Sequence, residues 1–177
     1  IHTFGQKDLH VTSFQPSVIF GNDDSFINRF NNILKLCVGL FPLACPNSRF
    51  APVYIDDVVS FIADRINDVD SFSKRYPLCG PETWTLKQIV QQINTIQDYP
   101  CKIIGLPNAM SRLQAMVLQN LPGKLFTMDN YRSLQTDSTC DQPYDYCRSS
   151  LSHYLQGLPS QHSYKSLYDE YRKNLNR

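Results

Sequence analysis

Apolar positions along this chain switch between two spacings, and the switches mark its elements. Residues 10 to 14, "HVTSF", alternate polar and apolar side chains and read as a strand that ends at Pro16, since proline has no N–H for a central ladder. After the turn "GNDD", which Asp23 and Asp24 shape, Ser25 is placed to cap a helix. Phe26, Ile27, Phe30, Ile33, Leu34, Cys37 and Val38 recur there at helical spacing, and Pro42 and Pro46 break the stretch that follows. Residues 50 to 55 suit an extended entry. Asp56 or Asp57 then suits the start of a helix carrying Val58, Val59, Ile62, Ala63 and Ile66, where an acid meets unsatisfied N–H groups and the positive helix end.

"KRYPLCGP" is a second strand, stopped by Gly80 and Pro81. Thr85 and Gln88 form a capping box ahead of Leu86, Ile89, Val90, Ile93 and Ile96. "CKIIGLP" is a third strand, and Pro107 and Asn108 open a helix with Met110, Leu113, Val117 and Leu121 along one face. Residues 127 to 134 suit a short helix, "DSTCDQPYDYC" is irregular, and residues 164 to 175 close the chain as a helix with a stripe of Tyr164, Leu167, Tyr168, Tyr171 and Leu175. Strands separated by helices of this length predict an α/β fold with parallel pairing. A parallel strand wants neighbours on both sides, so these strands are expected to share their sheet with polypeptide outside the chain.

With 177 residues, 42% apolar and 19% charged, the chain has the length of one ordinary domain. A net charge of +1 gives no footprint for nucleic acid, and the longest apolar run, residues 37 to 45, is too short for a membrane span. The six cysteines show no C-x-x-C or metal-knuckle spacing. They read as reduced, mostly buried thiols of a cytoplasmic protein, with Cys140 and Cys147 in a polar loop as the pair to watch.

Catalytic motifs are missing. The glycines at 5, 21, 39, 80, 105, 123 and 157 fit neither G-x-G-x-x-G nor a P-loop, and there is no G-x-S-x-G or H-E-x-x-H. Histidines 2, 10, 153 and 162 are scattered, and the paired acids at 23/24 and 56/57 suit turns and helix starts better than an acid/base couple.

Four segments carry a resemblance. "FQPSVIFGNDDSFINRF", "SRFAPVYIDDVVSFI", "YPLCGPETWTLKQIV" and "GLPSQHSYKSLYDEY" resemble, in order and spacing, the C-terminal half of an atypical or extended short-chain dehydrogenase/reductase of the NAD-dependent epimerase/dehydratase family. Within it, the segments resemble the group of the NAD(P)-binding accessory subunit of respiratory complex I and its bacterial relatives. The resemblance implies the C-terminal part of a Rossmann-like parallel sheet interleaved with a small, mostly helical substrate-side subdomain, the Gly-rich half lying upstream. Residues 1–79 would supply strands and helices of that incomplete domain, with a substrate-side insertion at about 22–55, and residues 80–177 the substrate-side, C-terminal subdomain. Ile1 in place of Met agrees with a preceding segment.

In such proteins the cofactor lies across the carboxyl ends of the sheet. The resemblance therefore sets Pro16, Ser17, Val18 and Ile19 beside the nicotinamide of NAD or NADP, and Arg49 and Phe26 on the substrate side. Gln15 stands where the family usually has Arg, Val18 where sugar-nucleotide epimerases have Asn, and Arg49 is one residue out of step with their diphosphate-binding Arg. These departures argue against a nucleotide sugar. The family's Tyr-x-x-x-Lys is not in the chain, so no catalytic residue is assigned and the chain alone is expected to be inactive. The implied partners are the N-terminal half of the same protein, the nicotinamide cofactor and, through the C-terminal helix, a protein. A nucleotide-binding structural or assembly subunit, or an interaction domain using that Tyr-rich helix, is the alternative.

Overall fold

The structure is a computed structural model, and it describes residues 11–120, 126–141 and 146–158. The expected helix at 164 to 175, with its tyrosine stripe, lies outside the described residues, as do His10 and Leu121.

The fold is α/β, built on parallel strand pairs. β1 (Ser13–Pro16) runs parallel to β6 (Arg75–Leu78), and β2 (Ile19–Phe20) parallel to β5 (Val53–Tyr54). β3 (Gly39–Leu43) runs parallel to β8 (Cys101–Gly105), while β4 (Arg49–Phe50) and β7 (Trp84–Thr85) pair antiparallel. The helices are α1 (Ser25–Leu36), α2 (Ile55–Ala63), α3 (Leu86–Gln97), α4 (Asn108–Leu118), α5 (Met128–Ser133) and α6 (Leu151–Gln156).

Local chemistry sets most helix starts. At α3 the Thr85 hydroxyl accepts from the Gln88 amide while the Gln88 side chain accepts from the Thr85 amide, the expected capping box. A second box at Thr127 and Asn130 opens α5. The cap of α1 is Asp24 rather than Ser25: its Oδ1 accepts from the Ile27 amide, and Ser25 becomes the first helical residue. Aspartate and serine cap about equally well, and here the chain reverses one residue early, with Asp23 in the left-handed region. Helix α2 likewise starts at Ile55, which puts Asp56 and Asp57 in its first turn. Strand β3 runs through Pro42, where the sequence pattern shows only an interrupted apolar run; among the described residues β3 pairs with β8 alone, and an edge strand tolerates a missing donor. Helix α6, capped by Ser150, was not expected either.

Two apolar clusters form. The larger gathers Ile27 and Leu34 of α1, Leu86, Ile89, Val90 and Ile93 of α3, Leu43, Cys101 and the α6 leucines. The smaller joins Val53, Val58, Phe61, Leu78 and Cys147, with Phe14 and Tyr76 against it. On α2 the inward face is Val58 and Phe61 while Val59 is exposed, and Ile66, expected on this helix, lies exposed beyond its end. Helix α4 reverses its expected face: Met110, Leu113 and Val117 are about half exposed, and Ser111 and Ala115 are buried. Small residues let α4 approach closely, and the Ser111 hydroxyl accepts from the Cys45 amide at 3.0 Å.

The cysteines also depart from expectation. Cys79, just after β6, is disulfide-bonded to Cys140, with 6.0 Å between Cα atoms, so the six thiols are not all reduced. A parallel bridge between Phe50 and Ser138 carries the loop across the end of β6 and delivers Cys140 there. Cys147, the other member of the expected pair, is 2% exposed in the smaller cluster, and burial pushes its thiol up.

Candidate functional site

A bend at Ser17 and Val18, where the chain leaves β1 for β2, shapes the site. Ser13 and Ser17 donate to the carbonyls of Lys74 and Leu78 at 3.0 and 2.8 Å, so alternate peptide groups of β1 face β6. The intervening groups of Phe14 and Pro16 face the opposite edge, which has no strand partner among the described residues. At Val18 the direction of pairing changes, and its carbonyl accepts from the Val53 amide at 2.9 Å. Gly21 then passes so close to Ile55 that a Cβ there would lie 2.5 Å from the Ile55 Cγ2.

The four residues at this strand exit have different surroundings. Pro16 is exposed. Ser17 is buried, its hydroxyl donating to the Ser138 carbonyl at 2.6 Å and accepting from the Ala51 amide at 3.2 Å. Ile19 is half-buried against the smaller cluster. Val18 is half-buried against the larger one and forms part of the wall of a cavity of about 370 Å³.

That cavity is lined mostly by apolar side chains. Phe26 and Phe30 of α1 and Phe50 of β4 enclose one side, with ring centroids 5.3 and 5.8 Å from that of Phe26. Strand β3 supplies Phe41 and Leu43, and α4 and α5 supply Gln114, Leu118, Ser133 and Leu134. Among the described residues Arg29 is the one charged side chain on its wall, and it is exposed. Gln114 donates from Nε2 to the Pro42 carbonyl at 3.1 Å, and its Oε1 is buried with no partner. The structure thus brings Val18 and Phe26 into one cavity. It leaves Arg49 elsewhere: exposed on β4, its amide donating to Asp137 Oδ1 at 3.0 Å.

Sequence reading missed Gln114 and Phe50. Phe50 stands beside Arg49 in a quoted segment, but only the β4–β7 register turns it inward. Gln114 falls on the helix face that periodicity assigned to solvent, and nothing in the sequence marks it.

Acidic groups around the site hold structure together. Asp24 is half-buried with Oδ2 unpartnered; burial pushes its carboxyl up, against hydrogen bonds from the Ile27 and neighbouring amides. The Tyr154 hydroxyl donates to the Gly21 carbonyl at 2.6 Å, and burial raises its phenol. Asp57 accepts from the Ser149 amide and hydroxyl at 3.0 and 3.1 Å, tying α2 to the last described segment. Burial pushes Glu82 up, but hydrogen bonds from Ser150, Trp84 and Ser152 outweigh it and hold the carboxyl below its ordinary value. Trp84 therefore packs beside this cap with its N–H satisfied.

What the described residues could offer a nicotinamide cofactor is a half-apolar strand exit, Val18 and Ile19, against which a flat ring fits. No glycine-rich phosphate loop is found among them, so they fit one end of such a molecule only.

No family model matches the chain. It is similar in sequence to NADH dehydrogenase [ubiquinone] 1 alpha subcomplex subunit 9, mitochondrial, of Arabidopsis thaliana, 26% identical over 163 residues, covering 84% of this chain and 40% of the relative. The mouse protein of the same name is 35% identical over 80 residues, 45% of this chain and 21% of the relative. The chain is homologous to these subunits and spans two fifths or less of their length. Among solved structures, an epimerase from Methanothermobacter thermautotrophicus superposes with a TM-score of 0.54 at 12% identity, over 93% of this chain and 46% of the other. Pal from Bacillus thuringiensis gives 0.51 at 13% identity, over 91% and 47%. These establish the Rossmann-like fold. Among the described residues no helix is long and apolar enough to cross a membrane.

Proposed function

We propose that this chain forms the nicotinamide-side wall and the substrate pocket of an NAD(P)-binding short-chain dehydrogenase/reductase-like protein, the phosphate-binding part of which lies in other polypeptide of the same protein. One observation carries the reading: a parallel strand, β1, paired on one edge and without a strand partner on the other among the described residues, leads directly into Val18, a wall residue of an apolar cavity. In an open α/β sheet the ligand crevice lies beyond the carboxyl ends of the strands. Pro16, Ser17, Val18 and Ile19 border the cofactor ring there, Phe26 the substrate, and Arg49 the outer approach. A cofactor shared between two stretches of chain leaves residues 1–177 without turnover by themselves.

Fluorescence titration of the full gene product with NADPH tests this. Binding is expected for the full product and not for residues 1–177 alone; equal binding by both, or by neither, would overturn the shared-site reading.

The similarity to respiratory-chain subunits favours a second reading, in which the cofactor is retained as a structural element. A ligand that binds only the folded protein adds about 2.7 kcal/mol of stability at a hundredfold excess over Kd, with no chemistry. NADPH that raises Tm and is recovered unoxidised supports it; steady oxidation with a carbonyl substrate supports an enzyme. The compartment follows whichever whole protein carries the chain.

A further inference from the structure

We propose that the Cys79–Cys140 disulfide is a redox-operated latch on the strand exit: a dithiol reductant opens it, frees the segment around Ser138 and so weakens NAD(P) binding. This rests on the reading above that Ser17 and Val18 border the cofactor ring, and it names how that site is regulated.

Four segments close a ring around Ser17. The Ser17 amide donates to the Leu78 carbonyl, at the end of β6, at 2.8 Å. Its hydroxyl donates to the Ser138 carbonyl at 2.6 Å, and that carbonyl also accepts from the Ala51 amide at 3.0 Å. The Gly80 amide donates in turn to the Ala51 carbonyl at 3.1 Å, and the chain there is so close that a Cβ on Gly80 would lie 1.7 Å from the Pro52 carbonyl oxygen. The disulfide completes the ring, joining Cys79, next after Leu78, to Cys140, two residues beyond Ser138. Ser17 and Ala51 are both buried, so the polar groups that fix the strand exit depend on a carbonyl delivered from 121 residues away.

The segment that delivers it brings little burial of its own. Gln135, Thr136, Asp137 and Thr139 are exposed. Segments with few buried contacts open locally, and a cross-link across a long stretch of chain removes much of that freedom. The two sulfurs are also unequally placed: Cys79 is 3% exposed, while Cys140 is half-buried. A thiolate of the reductant attacks Cys140 Sγ, the S–S bond breaks, and its electron pair leaves on Cys79 Sγ, which takes up a proton. The reductant's second thiolate then attacks its partner sulfur in the mixed disulfide and releases Cys140, which is protonated in turn. Two electrons and two protons pass to the protein, and the reductant ends as a disulfide. The other four cysteines are free thiols, so this bond is the one a reductant acts on in the chain.

Hydrogen–deuterium exchange of the full gene product, with and without dithiothreitol, tests the latch, and NADPH titration of the same samples tests its consequence. On reduction, exchange in peptides covering Ala51 and Ser138 should rise about tenfold while α3 keeps its protection. The Kd for NADPH should rise about tenfold, and by reciprocity saturating NADPH should then lower the reduction potential of the bond by the same factor, about 30 mV. Reoxidation with oxidised glutathione should restore both, and Cys79→Ser with Cys140→Ser should show the open pattern with or without dithiothreitol. Unchanged exchange at Ser138, an equal rise in α3, or a dithiothreitol response that persists in the double variant overturns the latch. NADPH bound equally in both redox states overturns the regulation and leaves the cofactor reading standing. Opening at Ser138 with NADPH bound in neither state overturns the cofactor reading and leaves the latch standing.

Discussion

The two halves of this molecule are built to different degrees of completeness. Around α1, α3, β3, β8 and α6 the chain closes a core with its own residues: Leu34, Ile89 and Val90 are fully buried, and α3 is capped at its start. Around β1, β6 and α2 the cluster is smaller, Gln15 and Pro16 face outward, and one edge of β1 is unpaired among the described residues. A parallel ladder of two strands with one covered face is a marginal unit. The contrast teaches that helical packing lets the part around α1 and α3 bury its own core, while the β1–β6 pair leaves one edge without a strand partner among the described residues. The apolar cavity sits on the first side and the strand exit on the second, and Val18 belongs to both.

The comparison breaks most visibly at Phe61. Its ring meets Phe14, Tyr76 and Tyr146 edge-on at centroid distances of 6.1, 5.4 and 5.5 Å, with the Arg65 guanidinium 3.5 Å above it. Phe61→Ala should cost about 3–5 kcal/mol, and amide exchange should rise across β1 and β6 before it rises in α3. Simultaneous loss of protection in α3 would show the two halves to be one cooperative unit.

Next comes the disulfide, which pins the loop after α5 to the end of β6 across 61 residues of sequence. Cys79→Ser with Cys140→Ser should lower stability by about 3 kcal/mol in urea melts, with the β1–β6 half again opening first. If both halves lose equally, the bond braces the whole molecule.

A smaller effect is expected at Glu82, whose carboxylate ties β7 to the start of α6. Because its folded pKa is depressed below the ordinary 4.5, its contribution is present above that pH and is lost as pH falls through the folded value. Glu82→Gln should cost about 1 kcal/mol at pH 7, and the gap to the parent should shrink below pH 4.5. A gap independent of pH would assign the loss to geometry. The least change should follow Thr85→Ala, about 1 kcal/mol or less from the lost cap, seen as fraying confined to the first turn of α3.

Much was legible in the residues themselves, for identifiable reasons. The Thr85 and Gln88 box is a local motif, so its chemistry does not depend on what lies across the fold. The 3.6-residue recurrence of Leu86, Ile89, Val90 and Ile93 did predict the buried face of α3, because that helix lies on the core along its whole length. Where an element touches its neighbour through small residues, the rule inverts: α4 buries Ser111 and Ala115 and turns its methionines outward.

The sequence by itself determined strands β1, β6 and β8, helices α1 to α5, the parallel character of the fold and the absence of a phosphate loop among its motifs, because period, caps and glycine spacing are properties of consecutive residues. Only the tertiary structure decided that Cys79 meets Cys140, that Phe50 turns toward Phe26 while Arg49 turns away, and that the Gln114 side chain reaches from α4 to the Pro42 carbonyl. Each of those facts depends on which distant segments share a register, and side-chain chemistry alone leaves that register open until the whole chain has packed.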